Sequence, residues 1–361
     1  MPLIVVIGAQ FGGEGKGKLV SHLSIADDAD IVVRCGGPNS GHTVDYEGFR
    51  IGLRMVPAGF VNKRTKLMLA PGALVDPKIL FAEMEKCNID PSRLMIDRNV
   101  CVVKDEYAGL ELEKGLRRRI GSTASGTGVG VAKRALRDAD VQLAGNVGIL
   151  HRFLGDVSKE LNDALDQDKK VIVEGTQGFG LSLYHTDHFP YATSRDTTAS
   201  GFLSEVGLAP TLVDEVIMAV RTFPIRVEGE SGPLENEISW DVLRAMSGYP
   251  YPVYETTTAT GRLRRVATFD MQIVQRATQI NRPTRIALHG ADYLGYENKG
   301  KTDYDRLSIE AVKFVEYIEG SLNVPVSFIG TGPRNEELIV RELGEFTWPA
   351  HQVPILHHSV Q

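Results

Sequence analysis

Gly8, Gly12, Gly13, Gly15 and Gly17 fall within ten residues, with Glu14, Lys16 and Lys18 set among them. Glycines let backbone N–H groups close on an anion, and a lysine beside a helix N-terminus favours its charge. The chemistry this points to is phosphate binding. The preceding run, Leu3 to Ile7, is apolar and β-branched, which predicts a buried parallel strand. Lys18 to Leu23 predicts the start of a helix. The spacing is not that of GxxxxGK[ST]: Gly15 stands two residues too far from Gly8, and Gly17 occupies the place of the magnesium-binding Ser or Thr.

Other stretches carry compatible chemistry. CGGPNSGHTV, after a predicted strand Ile31–Arg34, brings Asn39 and His42 into a glycine-rich loop, with His42 a candidate general acid. IGSTASGTGVG, residues 120–130, is a second candidate anion loop, followed by Lys133, Arg134 and Arg137. A strand Val171–Glu174 leads into a long polar loop bearing Gln177, His185, His188, Thr193 and Thr197 beyond its carboxyl end, where open α/β sheets bind ligands. His185 and His188 lack a suitably spaced third metal ligand and are read as loop residues. Residues 254–270 combine threonines and Gly261 with Arg262, Arg264 and Arg265, a compact receptor for carboxylate or phosphate. Asp292 closes a strand from Arg285, and GTGPR, residues 330–334, follows a last strand, Pro325–Ile329. The chemistry that unites these features is phosphoryl transfer to a small anionic acceptor.

The elements that must position these groups recur as strand, loop and helix. That order predicts an α/β fold: one large domain over residues 1–361, a mostly parallel central sheet, helices on both faces and a P-loop-like turn after the first strand. Further expectations are a strand pair within 51–70 and helices over Asp76–Cys87, Lys104–Arg119, Val147–Leu165 and Leu307–Tyr317. Asp76 would cap its helix, with Pro77 at the first position. Strand Val216–Val220 is expected to continue through Thr222–Val227. The chain has 361 residues, 42% hydrophobic, enough for a substantial core. Its net charge of -6 argues against direct nucleic-acid binding. No apolar run is long enough to span a membrane and no signal peptide is apparent. Cys35, Cys87 and Cys101 lack metal spacing and read as reduced thiols, so the expected setting is cytoplasmic.

In order, GAQFGGEGKGK, GGPNSGHTV, IGSTASGTG, VEGTQG, YATSRDTTA, TATGRLRR and GTGPR resemble the motifs of adenylosuccinate synthetases, closest to the shorter archaeal-like forms. The resemblance implies a homodimeric, Mg2+-dependent ligase. In that family GTP phosphorylates O6 of IMP and the amine of L-aspartate displaces the phosphate. Gly12, Gly13, Glu14, Gly15, Lys16, Gly17 and Lys18 would hold the triphosphate, with Lys16 near the transferred phosphoryl. Thr43, Arg264, Asp292, Gly330, Thr331 and Gly332 would also serve the donor. The Gly41 carbonyl and the Gly13 backbone would meet magnesium. His42 would act at the bridging oxygen, with Gln177 beside it in the catalytic set. Gly13, Glu14, Asn39, Ser40, Thr123, Gln177, Thr193 and Arg262 would bind the nucleoside monophosphate. The partner subunit's Arg137 would reach its 5′-phosphate. Thr258, Ala259, Thr260, Gly261, Arg262 and Arg264 would form the aspartate loop.

Two departures stand out. The family's aspartate after Gly12, its general base at purine N1, is Gly13 here. Three readings follow: an inactive protein, an IMP enzyme with another base, or an enzyme for a different purine. The retained His42, Lys16, Gln177 and aspartate loop favour the third, because losing a carboxylate near C2 makes room for a 2-amino group. This resembles the phage branch, the N6-succino-2-amino-2′-deoxyadenylate synthases, which join aspartate to dGMP for diaminopurine DNA. The γ-phosphate oxygen, or a water it holds, would then take the N1 proton, with Glu14 the fallback. The second departure is Gly290-Ala291-Asp292 where the family reads guanine with a Lys-Leu-Asp run. That favours ATP or dATP over GTP. An ordinary IMP-dependent synthetase is the alternative, and a non-catalytic nucleotide-binding regulator an alternative of another class.

Overall fold

In the computed structural model, residues 2–258 and 260–341 are described. Leu3–Gly8 forms a strand buried at every position. Alternate side chains of a strand leave opposite faces of the sheet. Leu3, Val5 and Ile7 accordingly join one apolar cluster, and Ile4 and Val6 join another. Helices cover both. Val157–Leu165, Ala199–Val206, Met271–Asn281 and Ile309–Leu322 supply side chains to the first cluster. Lys16–Ala26 and Pro77–Lys86 supply the second. Each fully buried aliphatic side chain here contributes about 1.5–3 kcal/mol to burial.

The central sheet has ten strands. From one edge they run Leu338–Val340, Val326–Gly330, Arg285–His289, Glu215–Arg221, Leu3–Gly8, Val171–Glu174, Ile31–Arg34, Lys66–Leu69, Leu94–Asp97 and Leu154–Gly155. All pair in parallel except Leu338–Val340, which is antiparallel to its neighbour. This is the α/β architecture expected, with one antiparallel edge. The turns at the carboxyl ends of the central strands gather on one rim, as parallel pairing requires.

Asp76 accepts from the amides of Lys78 and Ile79, and Pro77 opens the helix, as the sequence predicts. Other elements differ. The two strands that touch 51–70 do not pair with each other: Phe49–Leu53 pairs with His42–Tyr46, and Lys66–Leu69 enters the central sheet. The helix across Lys104–Arg119 is broken by Gly115, which sits at φ 65° and splits it into Asp105–Glu113 and Leu116–Ile120. Within Val147–Leu165 only Val157–Leu165 is α-helical; Asp156 caps it and a 3-10 turn precedes it. Ile225–Val227 leaves the central sheet for a separate three-stranded one with Arg264–Ala267 and Glu237–Ile238. The strand from Arg285 stops at His289, because Gly290 turns at φ 88° and places Asp292 in a 3-10 turn. The helix near 307 runs from Ile309 to Leu322 behind the Ser308 cap. Among the described residues no helix is long and apolar enough to cross a membrane, and no group of three or more acidic, His or Cys side chains forms a metal cluster.

Candidate active site

The glycine-rich loop turns through left-handed backbone at Gly12, Gly13 and Gly15, with φ of 87°, 74° and 88°. Gly15 then caps the helix Lys16–Ala26. A side chain at Gly15 would meet the His289 ring at 2.9 Å, so the loop presses onto that ring. Glu14 is buried and folded back onto its own loop. Its Oε1 accepts from the amides of Gln10 at 3.1 Å and Gly12 at 2.8 Å, while its Oε2 pairs with Lys16 Nζ at 2.6 Å. Lys16 also donates to the Gln177 carbonyl. Glu14 is thus a loop clamp, an arrangement that does not suit its fallback role as base.

Lys18 faces away from this group. Its ammonium donates to the carbonyls of Gly332 and Glu337, each at 2.7 Å. Burial lowers its pKa to about 8, with Glu337 opposing. It works as a strut between the loop helix and the 330–337 turn, where the sequence expectation had it holding phosphate. Thr331 is engaged in the same turn, donating its hydroxyl to the Lys301 carbonyl at 2.7 Å.

His42 starts the hairpin beside Gly17; a side chain at Gly17 would come within 3.0 Å of His42 Cβ. The imidazole is buried, and burial, then Arg34, hold its pKa well below the ordinary value, so it is neutral. Its Nδ1 lies 3.1 Å from Glu174 Oε1 without the alignment of a hydrogen bond. Its Nε2 has no partner among the described residues. Glu174 accepts from Arg34 at 2.8 Å and from the Ala58 amide at 2.8 Å. The strand register sets Glu174 opposite Arg34. Burial nonetheless raises the Glu174 pKa, Arg34 opposing.

A second group of predicted residues converges. Thr193 Oγ1 accepts from Gln177 Nε2 at 2.7 Å and from Asn39 Nδ2 at 3.4 Å. A ladder of hydroxyls links Thr123 to Ser125 at 3.0 Å, Ser125 to Thr127 at 3.2 Å, and Thr127 to the Asn39 amide at 3.2 Å. Ser40 shores up its own turn through the Gly37 carbonyl. Arg137 lies apart, exposed at the end of helix Thr127–Leu136.

The threonine-arginine loop docks on the hairpin: Thr258 and Thr43 hydroxyls stand 2.9 Å apart. Thr260 bonds Thr257 at 2.7 Å, and Gly261 turns at φ 66°. Arg262 reaches the carbonyls of Glu228 at 2.6 Å and Gly121 at 3.4 Å, tying this loop to the 120–130 loop. Ala259 lies outside the described residues. Arg264 extends to Gly13, where a Cβ would fall 2.5 Å from its Nη1 and 2.9 Å from Ile225 Cδ1. The space freed by glycine is therefore not open; it holds a guanidinium. The Gly13 carbonyl accepts from Arg221 at 3.1 Å. A cation already claims that oxygen, so a magnesium contact there does not fit. Arg221 pairs with Glu255, which also accepts from Tyr293 at 2.9 Å.

Asp292 is buried and accepts from the Tyr249 hydroxyl. Burial raises its pKa, with Tyr249 opposing. His289, buried and with Nε2 unpartnered among the described residues, is held neutral by burial and then by Lys18. Sequence reasoning passed over Arg34, Arg221, Tyr249, Glu255 and His289 as active-site neighbours, and Glu174 as the partner of His42. One signal was available for two of them: Arg34 and Glu174 are opposite charges closing otherwise apolar predicted strands.

The comparisons agree with this geometry. The adenylosuccinate synthetase family model matches residues 5–145 and 141–299. An adenylosuccinate synthetase of Methanocaldococcus jannaschii is 41% identical over 340 residues, 93% of this chain and 95% of the relative. That of Pyrococcus horikoshii is 40% identical over 346 residues, 94% of this chain and 99% of the relative. Among solved structures, fully ligated adenylosuccinate synthetase of Plasmodium falciparum superposes with a TM-score of 0.83 at 23% identity, over 95% of this chain and all of that one, a likeness of fold. Succinoaminodeoxyadenylate synthetase of cyanophage S-2L, bound to dGMP and to dATP as an energy donor, superposes with a TM-score of 0.79 at 25% identity, over 94% of this chain and 95% of that one. Matched along nearly its whole length, the chain belongs to the adenylosuccinate synthetase family, Mg2+-dependent ligases that form a C–N bond between aspartate and a purine nucleotide at the expense of a nucleoside triphosphate.

Proposed function

We propose that this ligase takes dGMP as its acceptor and ATP or dATP as its donor, giving N6-succino-2-amino-2′-deoxyadenylate. The observation that carries the reading is Gly13: a family aspartate is missing, and its neighbour Glu14 does not take its place, being committed to its own loop. The cyanophage enzyme bound to dGMP and dATP lends support as a structural neighbour.

The donor's phosphates lie along Gly12–Lys16 at the helix N-terminus. O6 of the purine attacks the γ-phosphorus, the diphosphate leaves, and the N1 proton passes to a γ-phosphoryl oxygen. Neutral His42 donates to the bridging oxygen as charge develops there. The aspartate amine, held by Thr258, Thr260, Arg262 and Arg264, then attacks C6 and expels phosphate. Asn39, Thr123, Gln177 and Thr193 hold the monophosphate, and the partner subunit's Arg137 completes its site in a homodimer. With no metal cluster among the described residues, magnesium fits as an ion delivered with the triphosphate and met by the exposed Gly41 carbonyl. It would neutralise phosphate charge there.

Side-by-side assays of dGMP and IMP with aspartate and ATP test the reading. Product from dGMP at a kcat/KM at least about tenfold above IMP is expected, a margin that one polar purine substituent readily supplies. The curated archaeal relatives favour the competing reading of an IMP enzyme, and a preference for IMP would establish that one. Glu14→Gln tests the base separately. As a loop clamp, the variant should raise the donor KM by about tenfold and leave kcat within about threefold, since one glutamine oxygen can accept from Lys16 or from the two loop amides but its NH2 then faces the other donors. A lost kcat at unchanged KM would make Glu14 the base.

A further inference from the structure

The segment that carries Thr258 to Arg264 is a hairpin with a closed stem. Thr256 bridges Leu263 in antiparallel register. On either side of that bridge the Thr257 amide donates to the Arg262 carbonyl at 2.8 Å, and the Arg264 amide donates to the Glu255 carbonyl at 2.9 Å. The tip of the hairpin touches Thr43. Its stem is tied to the glycine-rich loop by Arg221. That side chain forks: Nη2 pairs with Glu255, Nη1 donates to the Gly13 carbonyl at 3.1 Å, and Nε donates to the Phe223 carbonyl at 3.0 Å. Both ends of the fork are braced. The Gln10 side chain clasps the Arg221 backbone, accepting from its amide at 2.9 Å and donating to its carbonyl at 3.0 Å. The Tyr293 hydroxyl donates to Glu255 at 2.9 Å, and the guanidinium lies 5.5 Å over the Tyr293 ring. The Arg221 side chain is only 11% exposed, so solvent screens the pair less than a surface one. Glycine at position 13 offers no side chain to grip, and the hold on the loop goes through its backbone oxygen.

We propose that Arg221 couples the two sites: by holding Glu255 and the Gly13 carbonyl together, it makes donor binding on the glycine-rich loop and aspartate binding on the hairpin strengthen each other. This rests on the proposed reading that Gly12–Lys16 takes the donor's phosphates and Thr258–Arg264 takes aspartate. Gly13 stands at φ 74° in a run of glycines, a segment with much conformational freedom to lose. Aspartate orders the hairpin, the stem fixes Glu255, and Glu255 holds the fork of Arg221 against Gly13. The loop then meets the phosphates with one residue already ordered. Linkage requires the donor to favour aspartate by the same factor. A guanidinium fork spans both partners, whereas an ammonium is a point charge that serves one of them. Arg221 acts through Gly13 and Glu255 and is a positioning residue.

ADP with Mg2+ and L-aspartate are titrated calorimetrically into the full-length enzyme, each alone and each with the other at saturation. The ratio of affinities with and without the second ligand is the coupling factor. The wild type should give about tenfold, within the usual range for linked sites. Arg221→Lys should bring the factor below about twofold, and so should Glu255→Gln, which removes the charge that holds the fork. The double variant R221K/E255Q should fall no further than either single one, because the two residues form one link. A packing role would weaken each ligand alone and leave the factor unchanged. A wild-type factor near one, or a factor that survives Arg221→Lys, overturns the proposal and leaves the assignment of the two sites standing. Lys16→Ala and Thr260→Ala test that assignment. ADP binding undiminished by the first, aspartate binding undiminished by the second, or a wild type that binds no aspartate even with ADP present overturns the assignment and the proposal with it.

Discussion

Gly13→Asp is expected to turn the enzyme from dGMP towards IMP, changing the ratio of their kcat/KM values by about 10³. Two effects combine. The new carboxylate lies near purine N1 and can accept its proton as O6 is phosphorylated, which typically contributes about 10²-fold or more. It also adds a side chain to a place the Arg264 guanidinium already occupies, and so crowds a 2-amino group there. Aspartate is among the residues that tolerate left-handed backbone, so φ 74° at this position is no bar. The guanidinium of Arg264, 2.5 Å from the added Cβ, has to withdraw and can pair with the new carboxylate. Competition between dGMP and IMP, followed by separation of the two succinyl products, measures the ratio. If the variant keeps the parent's preference, Gly13 is not the selector.

The second large effect is expected at His42. Replacing it with Asn should lower kcat by about 10²–10³ with little change in nucleotide KM, because its hydrogen bond strengthens as charge develops on the bridging oxygen. The imidazole is buried and neutral, and Nε2 has no partner among the described residues, so the Nε2–H tautomer can donate to the substrate. Its depressed pKa also links to stability. The folded protein binds this proton less readily than the unfolded chain, so the contribution is fully present above the ordinary histidine pKa and is lost as pH falls through the folded value. His42→Asn should therefore flatten part of the acid limb of a thermal-stability profile. Retention of full kcat would remove His42 from the chemistry.

The parallel architecture was legible because strands such as Leu3–Gly8 are apolar at every position, a pattern peculiar to strands covered on both sides. The glycine-rich loop after the first strand, the Asn39 loop and the Thr258–Arg264 loop announced themselves through glycine and small polar residues, and contacts at Gly13, Gly17 and Thr43 bring these segments together. What stayed hidden depends on distance in the chain. Nothing local to Lys18 says that its ammonium is spent on Gly332 and Glu337. Nothing local to Gly13 says that Arg264 fills the gap. Gly115 splits a helix that reads as continuous, because a charged run carries weak periodicity and one left-handed glycine suffices to end it. Tyr249 finds its partner in Asp292, which a separate stretch of sequence delivers.

The strand Leu3–Gly8 stands in the middle of the sheet, yet both of its neighbours come far later in the chain. Leu3–Gly8 finds its neighbours in Val171–Glu174 and Glu215–Arg221. At roughly 5–20 residues per second, translation leaves this fully apolar segment without a mate for on the order of ten seconds or longer. During that interval it is an unpaired apolar β segment, the kind exposed to aggregation, and the Lys16–Ala26 helix that covers one of its faces is the cover nearest in sequence.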